Sequence, residues 1–367
     1  MKKVYFLVNG PGEISGWLYP LVKWIKEFNP SWAQDLTFNS IVVPCQFASG
    51  KEDGVLKSWN FFNEVIPSNK YWSLFRDGRK YENSVFFHIG GDLYFNLALS
   101  KRKKGIPVAY VEKYFWGERF YRKVYTLNDK LNIPNSIFVG DLRFDFLPSN
   151  AFSNSNNIAL FPGSRNYALK FFIPFYLALV KEIVRDFPDF NFTFFLSPFI
   201  DREVVDDILR RVNSMVKDLP IKFEILDDMK KLNGYLMAIT LPGTNTMQLA
   251  YMKIPMMVIL PLHRPEFIPI EGIANLFKGR LREKLINLYL KKNPYLALPN
   301  KMSPGIVPEI VGNFHFRDVL KYIKEILYNR ERLIEIHEKL KENFNKDYLS
   351  SEIIWKDLYN EVLSKII

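Results

Sequence analysis

Phe161-Pro162-Gly163-Ser164-Arg165 is the stretch on which the reading of this chain turns. It lies between a short apolar run at 158–161 and a long helical pattern that starts at Tyr167. A buried strand, a tight turn and a helix make half of a nucleotide-binding unit. In such a unit the backbone N–H groups of the turn and the positive end of the helix face an anion. Gly163 and Ser164 supply the turn, and Arg165 adds a planar guanidinium suited to a phosphate through two parallel hydrogen bonds.

A second turn of the same kind follows. Leu241-Pro242-Gly243-Thr244-Asn245-Thr246-Met247-Gln248 comes after an apolar run at 236–240 and opens another helix. If the two strands are neighbours in the sheet, the paired turns make a diphosphate site at the carboxyl ends of those strands. The chain contains no Asp-x-Asp string, and His88, His263, His315 and His337 show no metal-ligand spacing. Arg165, Ser164 and the helix dipoles are therefore expected to neutralise a diphosphate without a metal and without another cofactor.

Working outward, apolar runs alternate with helical stretches on both sides of a Ser- and Asn-rich segment. Before it, runs at 4–8, 40–43, 85–89 and 108–111 read as strands, with a helix at 15–27. After it, runs at 158–161, 191–196, 221–225, 236–240 and 256–260 read as strands, with helices at 167–185 and 201–216. That rhythm predicts an α/β protein with two doubly wound, parallel-sheet, Rossmann-like domains. The expected boundaries are 1–147 for the first domain, 148–157 for a linker and 158–345 for the second domain. From Phe316 the pattern is helical, and 346–367 is expected to form a C-terminal helix packing back on the first domain.

Composition narrows the function classes. A length of 367 residues accommodates two cores, and 48% apolar content excludes disorder as the main state. The lone Cys45 excludes a disulfide framework and fits a reducing cytosol. No apolar run approaches the length of a membrane span, and the opening residues read as a first strand rather than a signal peptide. The formal charge of +11 leaves nucleic acid, an anionic membrane face and a phosphorylated substrate as candidate partners.

Two motifs in the first half bear on chemistry. Asn9-Gly10-Pro11-Gly12-Glu13-Ile14-Ser15-Gly16 joins the first strand to the first helix, and its glycines permit close backbone approach to a ligand while Ser15 can cap the helix. Its spacing matches neither the dinucleotide fingerprint nor a P-loop. His88-Ile89-Gly90-Gly91-Asp92 ends another strand, where Asp92 is either a general base facing a cleft or the cap of the next helix.

Taken in order, these pieces resemble the lipid-A-disaccharide synthase family, metal-independent glycosyltransferases of the GT-B type. Gly12-Glu13-Ile14-Ser15-Gly16 resembles that family's Gly-Glu-x-Ser-Gly, and the segment from Val111 to Arg119, with Trp116, resembles its Trp- and Arg-bearing loop. Pro162-Gly163-Ser164-Arg165 matches its Pro-Gly-Ser-Arg turn, and Gly243-Thr244-Asn245-Thr246 resembles its Gly-Thr-Ala-Thr segment. Leu298-Pro299-Asn300 and Val307-Pro308-Glu309 resemble its Leu-Pro-Asn and Val-Pro-Glu strings. The chain departs from the pattern at Trp17 (Asp in the family), Asp141 (His), Gln248 (Glu) and 301–306, which is one residue shorter.

The resemblance implies an N-terminal acceptor domain and a C-terminal donor domain. The implied reaction moves a glucosamine-type sugar, acylated in the family, from a UDP carrier to a lipid-linked or phosphorylated sugar. It places Gln248, Asn300 and Glu309 around the donor ribose or sugar, and Gly12, Glu13, Ser15, Gly16, Trp116 and Arg119 on the acceptor side, with Asp92 as the base. A lipid-linked acceptor implies a cytosolic protein docking on the inner face of the cytoplasmic membrane, through basic and apolar stretches at 113–125 and 277–295. The alternatives are a UDP-sugar epimerase or hydrolase on the same scaffold and a basic nucleic-acid-binding protein. No nucleic-acid-binding motif supports the last.

Overall fold

The computed structural model describes residues 2–45, 48–78, 81–113, 115–212, 216–261 and 293–366. The chain forms two compact units, Met1–Phe146 with Lys346–Ile367, and Leu147–Asn345. Each is built on one parallel sheet.

In the first unit the strands are β1 (Lys2–Val8), β2 (Leu36–Val42), β3 (Glu64–Ile66), β4 (Ser84–Ile89), β5 (Ile106–Val111), β6 (Lys123–Thr126) and β7 (Ser136–Phe138), in the order β3-β2-β1-β4-β5-β6-β7. β4 is buried at every residue and β1 from Val4 onward, as expected for strands covered on both faces. Beyond β1 the chain makes a short helical turn, Pro11–Glu13, a π-helical turn, Ile14–Leu18, and the helix Tyr19–Phe28. Asn29, left-handed at φ 39°, ends that helix.

The second unit orders its strands β10-β9-β8-β11-β12-β13, where β8 is Asn157–Phe161, β9 Asn191–Leu196, β10 Ile221–Ile225, β11 Met237–Thr240, β12 Met256–Pro261 and β13 Glu309–Gly312. Its core gathers the inward faces of the helices Asn166–Val184 and Phe316–Tyr328 against β8, β9 and β11. Leu169, Phe172, Ile173, Tyr176 and Val180 recur at helical spacing along the first of these and are buried.

The last helix, Ser350–Glu361, belongs to the first unit. Asp145 holds its start, accepting the amides of Ser350 at 2.9 Å and Ser351 at 2.7 Å and pairing with the Lys346 ammonium. Trp355 donates its indole N–H to the Leu21 carbonyl at 2.9 Å. Asp145 is fully buried, so these donors stand in for the water it has lost.

Three features depart from the simple reading of the pattern. β3, β6, β7 and β13 are three or four residues long, too short to carry a period of their own. The Ser- and Asn-rich segment is tied down: Ser153 and Ser155 both donate to the Gly234 carbonyl, and Arg330 donates to Asn154 and Asn156. Ser15 does not cap a helix start. The helix begins four residues earlier, with Pro11 at its first position, so the hydroxyl turns back to the Pro11 carbonyl at 2.8 Å.

Candidate functional site

Parallel sheets place ligands where the strand order reverses, beyond the carboxyl ends of the strands. In the second unit the reversal falls between β8 and β11, which pair in register with Phe161 opposite Thr240. The turns at 162–165 and 241–243 therefore leave the sheet at one level, side by side. Gly163 is left-handed at φ 102°, and a Cβ there would lie 3.2 Å from Leu241 of the neighbouring turn. Glycine is what lets the two turns approach. Ser164 and Gly243 are exposed, while Arg165 is half-buried at the start of the helix Asn166–Val184. Gly243 precedes the helix Thr244–Tyr251, on which Thr244, Asn245 and Gln248 are half-buried. Two helix N-termini thus open side by side at the ends of neighbouring strands, with Arg165 at the start of the first, an arrangement suited to a diphosphate.

The remaining expected donor residues have structural work. Thr246 is buried; its hydroxyl donates to the Gly243 carbonyl at 2.7 Å and receives the Leu298 amide at 3.4 Å. Asn300, 1% exposed, spends both ends of its amide on Val307: it donates to the carbonyl at 2.8 Å and accepts from the amide at 2.9 Å. Glu309 accepts the amides of Leu296, at 3.1 Å, and of Ala297. Burial pushes the Glu309 carboxyl above its usual range, against the opposing pull of those N–H groups and Asn300. Thr246, Asn300 and Glu309 together fold residues 296–309 against the second turn, so their side chains shape the crevice wall.

In the first unit the order reverses between β1 and β4. Both motifs of the first half begin there, Asn9-Gly10 after β1 and Gly90-Gly91-Asp92 after β4. Gly90 is left-handed at φ 66°, and a Cβ would meet the Trp17 ring at 2.3 Å and Glu13 at 3.2 Å. The indole and the Glu13 side chain therefore lie directly over this turn. Gly12 is exposed and Gly16 buried. Asp92 is exposed and accepts the Tyr94 amide at 3.1 Å in an Asx-type turn one residue before Leu93, the cap of the helix Tyr94–Lys103. Its second oxygen and its place at the strand end are what a base would use.

A cluster that the pattern of the sequence does not announce fills the same crevice. Arg143 grips Asp141 with two nitrogens, Nε at 2.8 Å and Nη2 at 2.5 Å from Oδ2, and stacks over Trp17 at 5.5 Å. The Trp17 indole donates to Asp141 at 3.3 Å and meets Tyr110 edge-on at 5.4 Å. Glu112 lies 3.9 Å from Arg143. Burial works against the Arg143 charge, but Asp141 outweighs it and the guanidinium is held above its usual value. Trp17 and Asp141, two positions where the chain departs from the family pattern, are thus bonded to each other across 124 residues. Nearby in sequence, His88 is fully buried with neither ring nitrogen partnered among the described residues, and burial pulls its pKa down to about 3.

Trp116 and Arg119 lie on the outside of the first unit. Trp116 is 65% exposed and faces Tyr94 at 6.3 Å, while Arg119 lies over the exposed Phe120 ring at 4.9 Å. Within 113–125 only part is surface, because Tyr121, Val124 and Tyr125 are buried and β6 begins at Lys123. Most of the second basic stretch, at 277–292, lies outside the described residues, as does His263. Among the described residues no three His, Cys, Asp or Glu side chains gather as a metal-holding set. No described helix is long and apolar enough to cross a membrane.

No family model matches the chain. A lipid-A-disaccharide synthase of Chromobacterium violaceum is 24% identical over 213 residues, which cover 57% of this chain and 45% of that protein. The match thus spans less than half of the relative's length. Among solved structures, the UDP complex of S. aureus MnaA superposes with a TM-score of 0.59 at 12% identity, covering 99% of this chain and 98% of that one. The UDP-GlcNAc 2-epimerase of Neisseria meningitidis bound to UDP-GlcNAc gives 0.57 at 12% identity, covering 98% and 100%. These likenesses establish the fold, a GT-B-type pair of Rossmann-like parallel-sheet domains.

Proposed function

We propose that this chain is a UDP-sugar enzyme, and specifically a glycosyltransferase. It would move a glucosamine-type sugar, acylated or not, from a UDP carrier to a lipid-linked or phosphorylated sugar. The observation that carries this reading is the pair of turns at β8 and β11, which leave neighbouring strand ends side by side, with Arg165 at the start of the first helix. The match to the Chromobacterium violaceum protein and the UDP and UDP-GlcNAc bound by the two structural neighbours support the choice of donor.

In this reading an acceptor hydroxyl attacks the anomeric carbon as the bond to the diphosphate oxygen breaks. Asp92 takes the hydroxyl proton. Arg165, Ser164 and the N–H groups at the two helix starts hold the departing diphosphate, which is where charge develops. Gln248, half-buried one turn into the second helix, would hydrogen-bond the donor ribose through its amide. Thr244 and Asn245 line the same turn. Trp17, Glu13 and the Asp141–Arg143 pair shape the acceptor side.

Titration of the purified protein with UDP and with a single-stranded oligonucleotide tests the donor. Saturable UDP binding lost in Arg165→Ala supports it; binding of the oligonucleotide alone points to the nucleic-acid alternative. The second reading, epimerisation or hydrolysis of the donor itself, has the Neisseria epimerase as its support. An epimer or free sugar formed from UDP-N-acetylglucosamine with no acceptor present favours that reading over transfer.

Docking on an anionic bilayer follows from a lipid-linked acceptor. The exposed Tyr94, Trp116 and Phe120 beside Arg119 are the described surface that suits it. Sedimentation with anionic vesicles, lost in a Trp116→Ser, Phe120→Ser double variant, is the expected result. Indifference to vesicles favours a water-soluble phosphosugar acceptor.

A further inference from the structure

The helix Thr244–Tyr251 begins at the donor turn and ends where both connecting segments of the second unit meet. The chain enters this unit at Leu147 and leaves it after Asn345. On the entering side, the Asn150 amide donates to the carbonyl of Met252, the residue that closes the helix, at 3.3 Å. The next residue, Lys253, is left-handed at φ 61° and completes the helix end. Its side chain turns inward, 5% exposed, and the ammonium donates to the carbonyls of Tyr251, at 3.0 Å, and Phe344. Phe344 follows the helix Arg330–Asn343 and precedes the last residue of the unit. The Tyr251 and Phe344 rings meet edge to face at 5.6 Å, and the His337 ring nitrogen lies 2.7 Å from the Lys253 carbonyl.

An ammonium held by carbonyl dipoles is a conditional contact. Burial lowers its pKa, and no carboxylate among the described residues pairs with it. Such a group stays inside only while the carbonyls that replace its water remain in place. One residue before the chain enters the unit, Phe146 adopts φ 62°, a left-handed backbone that non-glycine residues hold at a cost.

We propose that the Lys253 clasp couples the donor turn to both connecting segments, so that a nucleoside diphosphate on the start of the helix orders residues 147–151 and 343–345. The inference rests on the donor reading given above. An anion at the N-terminus satisfies the free N–H groups there and steadies the whole of a two-turn helix. The far end then holds Lys253 and Met252 more firmly, and through them Phe344 and Asn150. Ordering at one site that lowers the motion of another is coupling without a change of shape.

Amide hydrogen exchange on the full chain, with and without saturating UDP, reads both ends at once. UDP is expected to slow exchange at 162–168 and 243–248, and also at 147–151 and 343–345 by about fivefold, the lower end of ordinary coupling between sites. In Lys253→Met the turns should remain protected by UDP, and so should 147–151, which the Met252 carbonyl holds, while 343–345 lose that protection; Lys253→Arg, which keeps the donors, should restore it. Protected turns with unaltered connecting segments in the wild type overturn the coupling, and that comparison needs no variant. Residues 343–345 still protected in Lys253→Met overturn Lys253 as the link. Turns that UDP leaves unprotected sink the donor reading, and this inference with it.

Discussion

The two crevices occupy equivalent places in equivalent sheets, yet they are made of different material. In the second unit the walls are backbone: Ser164 and Gly243 stand open beside the half-buried Gly163, and the side chains that shape them, Thr246, Asn300 and Glu309, work from behind. In the first unit the space above the turn is taken by side chains, with Trp17 lying on Gly90 and Arg143 on Trp17. A site built from N–H groups and helix ends needs only glycine and a small polar residue at fixed positions, so it survives wide change elsewhere in a sequence. A site built from packed side chains changes with every substitution. The Pro162-Gly163-Ser164-Arg165 turn that matches the synthase family falls in the first kind of crevice, together with the departure at Gln248, and the departures at Trp17 and Asp141 fall in the second.

That contrast sets the order of expected effects. The largest should come from Asp141→Ala, which strips the partner from a largely buried guanidinium: about 3–5 kcal/mol of unfolding free energy, since an uncompensated buried charge is left behind. Denaturant unfolding measures it, and UDP binding by whatever remains folded should be unchanged. A loss below 1 kcal/mol would mean that the Trp17–Asp141–Arg143 cluster is solvated and does not define its crevice. Next, Arg165→Ala should weaken UDP binding by about 2–4 kcal/mol with little change in melting temperature. Wild-type affinity in that variant would remove the donor site from this turn.

An effect smaller per pH unit, though not in its total, separates the units by pH. The folded pKa of His88, about 3, lies below its ordinary value of 6.5, so its stabilising contribution is present above pH 6.5. That contribution is lost as pH falls from there towards 3, at about 1.4 kcal/mol per pH unit for one group. Acid should therefore loosen the first unit, and His88→Phe should flatten that limb of the stability curve; an unaltered slope would show the imidazole to be hydrated or paired. The smallest effect is expected from Thr246→Val, which frees the Leu298 amide and the Gly243 carbonyl at a cost of about 1 kcal/mol in stability. It should also weaken UDP binding slightly by loosening the turn. A drop as large as that of Arg165→Ala would instead place the hydroxyl on the ligand.

Much of the architecture was legible because it obeys short-range rules. Runs such as 158–161 and 256–260 read as strands, and the structure has β8 and β12 there, since a doubly covered strand must be apolar along its length. β6 and β13 were not legible: four residues, one of them Lys or Glu, carry no period. Within the crevices, Gly163 and Arg165 announced themselves by their place between strand and helix. Nothing local could reveal that Asn300 is consumed by Val307, or that Glu309 answers two amides at 296–297. Those bonds depend on how a loop closes.

By itself, then, the sequence determined the alternation of strand and helix, the two glycine turns of the donor half and the amphipathic helices after Phe316. Each of these follows from residue type and spacing along a few turns of chain. Tertiary structure decided the rest: that Phe161 and Thr240 end neighbouring strands, that Trp17 meets Asp141, and that Lys253 reaches Phe344. These contacts join residues separated by 79, 124 and 91 positions, and no local pattern encodes them. They arise because a buried polar group must find a partner wherever the fold brings one within reach.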